Sequence, residues 1–160
     1  MKISCKINGK ATVFNTYADK PLALLLVEDS EITSLSPGCG KGICGNCVVL
    51  MDNHPVLSCI IPAFKIREKE ITTYEGYAKT RFYNDVVRGY EEAGAKPCSY
   101  CMASKTLLIE SVIHENSAPE VDDILDMLSI NKCSCIDEKD LVKIVETAVK
   151  YRRRRRVRRS

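Results

Sequence analysis

Cysteines are the residues here whose type and spacing can do chemistry, and eight of the nine fall into two groups of four. Cys39, Cys44 and Cys47 form C-x4-C-x2-C, with Cys59 after eleven intervening residues; Cys98 and Cys101 form C-x2-C, and Cys133 and Cys135 form C-x-C. The first spacing is that of plant-type 2Fe-2S ligation. A loop that wraps a cluster must approach it with bare backbone and turn N–H groups toward the sulfurs, and Gly38, Gly40, Gly42 and Gly45 supply that freedom. A structural zinc site would use the same four thiolates, but the glycine density and the x4-x2 spacing favour the cluster. For the second group, spacing alone leaves zinc and a redox C-x2-C as rivals; its position after a ferredoxin-like half favours a second cluster. The ninth thiol, Cys5, reads as a small buried hydrophobe. His54 and His114 read as a turn residue and a helix-end residue, so a Rieske centre, which needs two histidines, is excluded. No nucleophile–base pair and no phosphate-binding glycine loop is visible.

The elements that must position these thiols differ between the two halves. Lys2 to Ile7 and Lys10 to Phe14 alternate polar and apolar residues around Asn8-Gly9, a strong hairpin signal. Pro21 opens a short helix to about Glu28, with Leu22, Leu25 and Leu26 on one face. Val48 to Met51, an Asp52-Asn53 turn, Pro55 to Leu57 and Glu70 to Thr73 read as further strands around the Gly/Cys loop, giving a small sheet on one helix. Beyond Gly76 the apolar spacing becomes helical: Phe82, Val86 and Tyr90; Leu108, Ile109, Val112 and Ile113; Val121, Ile124, Leu125 and Leu128; Leu141, Ile144, Val145 and Ala148. Four helices of this kind predict a bundle, with Pro119 in a first turn and Asp137 as a cap. The C-x2-C then stands at a loop-to-helix junction and the C-x-C between the last two helices.

Composition narrows the class. A chain of 160 residues, 45% apolar and 28% charged, is a globular protein of one domain or two small ones. The start has no apolar leader, and the longest aliphatic run, Leu22 to Val27, is far shorter than the roughly 20 residues that span a bilayer. Secretion and membrane insertion are therefore not expected, and a cytoplasmic setting makes clustered thiols metal ligands rather than disulfides. The tail from Arg152 to Ser160 holds seven of the 24 Lys and Arg residues; without it, 17 basic residues face 21 acidic ones, a net of −4 against +3 for the whole chain. Such a like-charge block reads as a disordered, solvated tail over 152–160, with neither nucleic acid nor membrane expected as a partner of the mildly acidic body.

With these residues in view the chain resembles the small iron-sulfur subunit of the molybdenum hydroxylases, the xanthine dehydrogenase and aldehyde oxidase family. The resemblance runs from about residue 2 to 150 and rests on Gly38-Cys39-Gly40, Cys44-Gly45-Asn46-Cys47-Val48-Val49-Leu50, Pro55-Val56-Leu57-Ser58-Cys59, and the later C-x2-C and C-x-C pairs in order. Leu128-Ser129 and Asn131 before Cys133 also fit. It implies an α+β chain, a ferredoxin-like β-grasp domain over 1–76 followed by a four-helix bundle domain over 77–151. One 2Fe-2S cluster would sit on Cys39, Cys44, Cys47 and Cys59, and another on Cys98, Cys101, Cys133 and Cys135. The implied function is electron transfer within a heteromeric, xanthine dehydrogenase-like oxidoreductase, with no substrate chemistry on this chain. The molybdenum cofactor would lie on a large partner subunit, with FAD on a medium one, and electrons would pass from molybdenum through the helical cluster, then the β-grasp cluster, to FAD or another acceptor. A free-standing two-cluster ferredoxin is the alternative. The departures lie in the second half. Family members usually carry Gln before the C-x2-C, Gly after its first cysteine and Thr-Pro-Gly-Met after its second, where this chain has Pro97, Ser99 and Met102-Ala103-Ser104-Lys105. After the C-x-C, Ile136-Asp137-Glu138 replaces the usual Thr-Gly-Tyr. The family's contact from that Gln to the pterin is therefore not available from Pro97.

Overall fold

The computed structural model describes residues 1–30, 32–35 and 38–157; Pro37 of the first cysteine loop and the tail residues 158–160 lie outside them. Strands β1 (Lys2–Ile7) and β2 (Lys10–Asn15) form the expected hairpin. Asn8 and Gly9 take φ of 51° and 79°, the double left-handed conformation that a two-residue turn requires and that Asn-Gly tolerates best. Helix α1 (Leu22–Asp29) begins after Pro21 and buries Leu22, Leu25 and Leu26. Strands β3 (Val48–Met51), β4 (His54–Leu57) and β5 (Glu70–Thr72) complete a mixed sheet of order β2-β1-β5-β3-β4, in which only β1 and β5 run parallel. The turn between β3 and β4 is Asp52-Asn53 alone, with φ of 50° and 68°, and His54 is the first residue of β4, paired with Met51, rather than a turn residue.

Period-2 alternation lets the sheet serve two cores. Val49 of β3 joins Ile3, Cys5, Ile7, Phe14 and Ile71 against α1. Its neighbours Val48 and Leu50 point the other way and join the core of the helical half. That half holds α2 (Tyr74–Tyr77), α3 (Tyr83–Ala93), α4 (Met102–Glu115), α5 (Val121–Leu128) and α6 (Glu138–Val157). The last four are the helices that the periodicity predicts; α2 adds a single turn whose four residues are too few to show a period. Helix α4 is buried over almost all its length, from Ala103 to Ile113, because the sheet covers one side of it and the other helices cover the rest. The whole is an α+β chain.

Two expectations about helix ends change. Pro119 precedes α5 instead of entering it: Glu120 is the N-cap, and it exchanges hydrogen bonds with Asp123 in a capping box. The Arg-rich segment is not a solvated tail from residue 152. Helix α6 continues to Val157, and Arg152 is only 6% exposed. Its guanidinium donates to Asp85 Oδ2 at 3.1 Å and to Glu110 at 2.9 and 2.7 Å, while the Tyr77 hydroxyl donates to Glu110 Oε2 at 2.5 Å. Two buried carboxylates offset the desolvation of one guanidinium and outweigh the mutual repulsion of the arginines. Asp137 stands where expected, its carbonyl accepting from the N–H groups of Asp140 and Leu141 at the start of α6.

Candidate metal centres

The first cysteine loop lies between α1 and β3 and folds back on its own sulfurs. Cys39 Sγ accepts from the backbone N–H groups of Lys41, Ile43 and Cys44 at 3.4, 3.2 and 3.3 Å. Cys44 Sγ accepts from Cys39 N–H at 3.4 Å, and Cys59 Sγ from Gly42 N–H at 3.3 Å. Bends this tight need residues without Cβ. Gly45, at φ 73°, lies so close to Ile130 that a Cβ would run into its carbonyl; Gly38 leaves room that a Cβ, 2.6 Å from Cys44 Sγ, would fill. Gly40 and Gly42 also have positive φ, whereas Gly38 is required for space alone. Cys59 arrives from the Ser58–Ile60 turn that follows β4, held by Ser58, whose N–H and hydroxyl both donate to Cys47 O. The four sulfurs line one cavity of about 220 Å³ next to α1.

The second group assembles at the N-terminal end of α4. Cys98 and Cys101 come from the loop that becomes α4, with Cys101 as the residue before its first turn; Cys133 and Cys135 come from the α5–α6 connection. Their four Sγ atoms lie within 4.8 Å of one another. Cys98 N–H donates to Cys135 Sγ at 3.5 Å, and Cys133 N–H donates to Asn131 Oδ1 at 3.1 Å. Each group has one buried member, Cys47 or Cys101, and at least one exposed member.

Thiol acidity follows this environment. The N–H groups of Cys44, Lys41 and Ile43 hold Cys39 down at about 6. Cys98 is lowered to about 7, chiefly by the Cys101 N–H. Burial pushes Cys47 up to about 11 and raises Cys101 and Cys135, which also feel neighbouring thiols. Cys5, in the core on β1, is raised by burial and belongs to neither group. A protein that holds these sulfurs as thiolates needs positive charge among them, which bound metal supplies. All-thiolate donors, N–H groups aimed at sulfur and glycine-limited approach fit a 2Fe-2S cluster at the first group. The second donor set, taken alone, suits either a cluster or one tetrahedral ion.

The two sites touch through their loops. Lys132 N–H donates to Cys44 O at 3.0 Å, so a cysteine of the first group is bonded to the residue before a cysteine of the second. Beside this bond, Asn131 Nδ2 donates to Ser104 Oγ at 2.7 Å and to Gly45 O at 3.4 Å, and Ser104 Oγ donates to Asn46 Oδ1 at 3.1 Å. All three side chains are buried. Ser104 gave no signal in the sequence beyond its place on the first turn of α4. Asn46 and Asn131 were legible only as pattern residues flanking cysteines.

No protein-family model matches the chain. Among curated proteins it is 30% identical over 152 residues to one component of the nicotinate dehydrogenase of Pseudomonas putida, covering 95% of this chain and 97% of that one. It is 34% identical over 133 residues to the nicotinate dehydrogenase small FeS subunit of Eubacterium barkeri, covering 83% and 85%. Among solved structures, a chain of quinoline 2-oxidoreductase from Pseudomonas putida superimposes with a TM-score of 0.84 at 30% identity, over 96% of both chains.

Proposed function

Since the chain belongs to the family of small iron-sulfur subunits of xanthine and nicotinate dehydrogenases, we propose that it is the electron-transfer subunit of a heteromeric molybdenum hydroxylase, relaying electrons from a molybdenum cofactor through two 2Fe-2S clusters to FAD or another acceptor. In this reading residues 1–76 and 77–151 are the two cluster-bearing domains, a large subunit carries the molybdenum cofactor and a medium subunit carries FAD, and the complex is cytoplasmic. No helix among the described residues is long and apolar enough to cross a membrane. Cys39, Cys44, Cys47 and Cys59 would hold one cluster, and Cys98, Cys101, Cys133 and Cys135 the other. Bound there, the clusters supply two one-electron centres.

The observation that carries the proposal is the direct bonding of one four-thiolate loop to the other through Lys132 N–H and Cys44 O. The chain's own residues fix the separation and set the electrostatics. Five backbone N–H groups donate to sulfurs of the first group; at the second, the Cys101 and Tyr100 N–H groups point at Cys98 and the Cys98 N–H at Cys135, so the first group has more of them among the described residues. Each such bond draws negative charge from sulfur and favours the reduced form. The first group is thereby the better electron sink, in keeping with transfer from the helical site toward the sheet-side site.

Anaerobically purified protein should contain about four irons and four acid-labile sulfides per chain, two 2Fe-2S clusters' worth; two zincs without sulfide would overturn the assignment. In the native complex, Cys101→Ala should stop substrate from reducing the remaining cluster and the flavin, while dithionite still reduces both. Cys44→Ala should leave the helical cluster reducible by substrate and block only the flavin. Unimpaired flavin reduction in Cys44→Ala would refute the order of transfer. Native chain that purifies without any molybdenum- or FAD-bearing partner would point instead to a free-standing carrier.

A further inference from the structure

Lys105 is a large residue with almost no exposure, at 2%, yet among the described residues its ammonium has neither an ion pair nor a hydrogen bond. Buried charges are otherwise paired, because an unpaired ammonium in a poorly solvated setting is costly. The other deeply buried cation of this fold, Arg152, has two carboxylates. Lys105 sits one helical turn after Cys101, its N–H donating to Cys101 O at 2.9 Å. Side chains on a helix lean toward its N-terminus, so Lys105 leans over the turn that Cys101 begins. It lines a cavity of about 270 Å³ together with Cys133, Asn131, Lys132 and the exposed Glu138. The shared cavity sets Lys105 beside Cys133, one member of the cysteine site, and the negative charge it lacks is the charge that four thiolates and their metal would bring.

We infer that Lys105 is the built-in counter-charge of the Cys98/Cys101/Cys133/Cys135 site and raises the reduction potential of the cluster held there. This rests on the cluster reading proposed above. An all-thiolate 2Fe-2S cluster is an anion that becomes more negative by one charge when it takes up one electron, with no bond made or broken. A fixed cation nearby therefore stabilises the reduced form more than the oxidised form. The helical site receives fewer N–H to sulfur bonds from the described backbone than the sheet-side site, and Lys105 adds by charge to what those bonds supply. Without it the two sites would differ more widely in potential.

The test is an EPR-monitored dithionite titration of the native complex carrying Lys105→Met or Lys105→Arg. Lys105→Met keeps length and removes charge; it should lower the equilibrium constant for reducing the helical cluster by about tenfold or more, roughly 59 mV for one electron. The Cys39/Cys44/Cys47/Cys59 cluster should move much less, and Lys105→Arg should stay near the wild type. Should Lys105→Met lose iron, Lys105→Gln is read by the same criterion. An unchanged helical potential in the neutral variant, or equal shifts of both clusters, overturns the role of Lys105. Wild-type protein with zinc and no sulfide overturns the cluster reading instead, so the two failures are distinguishable.

Discussion

Replacing Arg152 by Met leaves buried Glu110 and Tyr77 without their guanidinium and leaves buried Asp85 with Arg155 alone. Asp85 is 4% exposed and Glu110 7%, so neither carboxylate can recover its hydration when the guanidinium is gone. Three hydrogen bonds to carboxylate oxygens, at 3.1, 2.9 and 2.7 Å, disappear together, as does the stacking of the guanidinium 4.7 Å from the Phe82 ring centroid. Removing one member of a buried ion pair typically costs about 3–5 kcal/mol, most of it the penalty of the orphaned charges. With a urea m-value of about 2 kcal/mol/M, the midpoint should fall by roughly 1.5–2.5 M. The effect should persist in about 1 M salt, since a buried pair is poorly screened. Equilibrium urea unfolding, followed together by far-UV circular dichroism and cluster absorbance, measures it. Two controls sharpen the result. Deleting 153–160 removes the Arg155–Asp85 ion pair but leaves Arg152 on both Asp85 and Glu110, so it should cost less than deleting 152–160; the other arginine contacts, Arg153 to Ser117 O and Arg155 to Arg81 O, are exposed. Arg152→Met combined with Asp85→Leu and Glu110→Leu should recover more than half of the loss, because no uncompensated carboxylate is left. A shift equivalent to less than about 1 kcal/mol in Arg152→Met, the scale of an exposed pair, would refute the reasoning and return the segment to a solvated tail.

Asn131→Ala should cost about 1–3 kcal/mol by removing the buried donor to Ser104 Oγ and Gly45 O and the acceptor for the Cys133 N–H, and should speed loss of both clusters on warming, which visible absorbance against temperature will show. Gly45→Ala combines a φ of 73° with a clash against the Ile130 carbonyl; a loss of about 1–3 kcal/mol from the backbone alone, and reduced iron per chain, are expected on metal analysis. Glu75 anchors the approach to the first cysteine loop: burial acts to raise its pKa, but bonds from the Thr73 hydroxyl and from the Ser34 N–H and hydroxyl prevail and lower it. A depressed folded pKa means stability present above the unfolded carboxylate value and lost as pH falls through the folded one. Glu75→Gln should therefore be less stable than wild type near neutral pH and converge on it in acid, as parallel urea curves at the two pH values will reveal.

Cysteine spacing exposes the candidate sites because a loop's reach to a metal is short and leaves a fixed local signature, here x4-x2 with glycines between. The hairpin, the Leu22/Leu25/Leu26 face of α1 and the four long helices are equally local, each set by a turn dipeptide or an apolar period within one element. The residues that tie these parts together carry no such signature. Arg152 meets Asp85 and Glu110 across 67 and 42 residues of chain, and Asn131 meets Gly45 across 86. A run of arginines seen along the sequence shows only its own repulsion, and a lysine after a C-x2-C shows only an exposed type of side chain. Whether such a charge is solvated or buried depends on which distant groups the fold carries to it, since burial is favourable only where an opposite charge is already waiting. For Arg152, tertiary packing alone brought those groups within bonding distance.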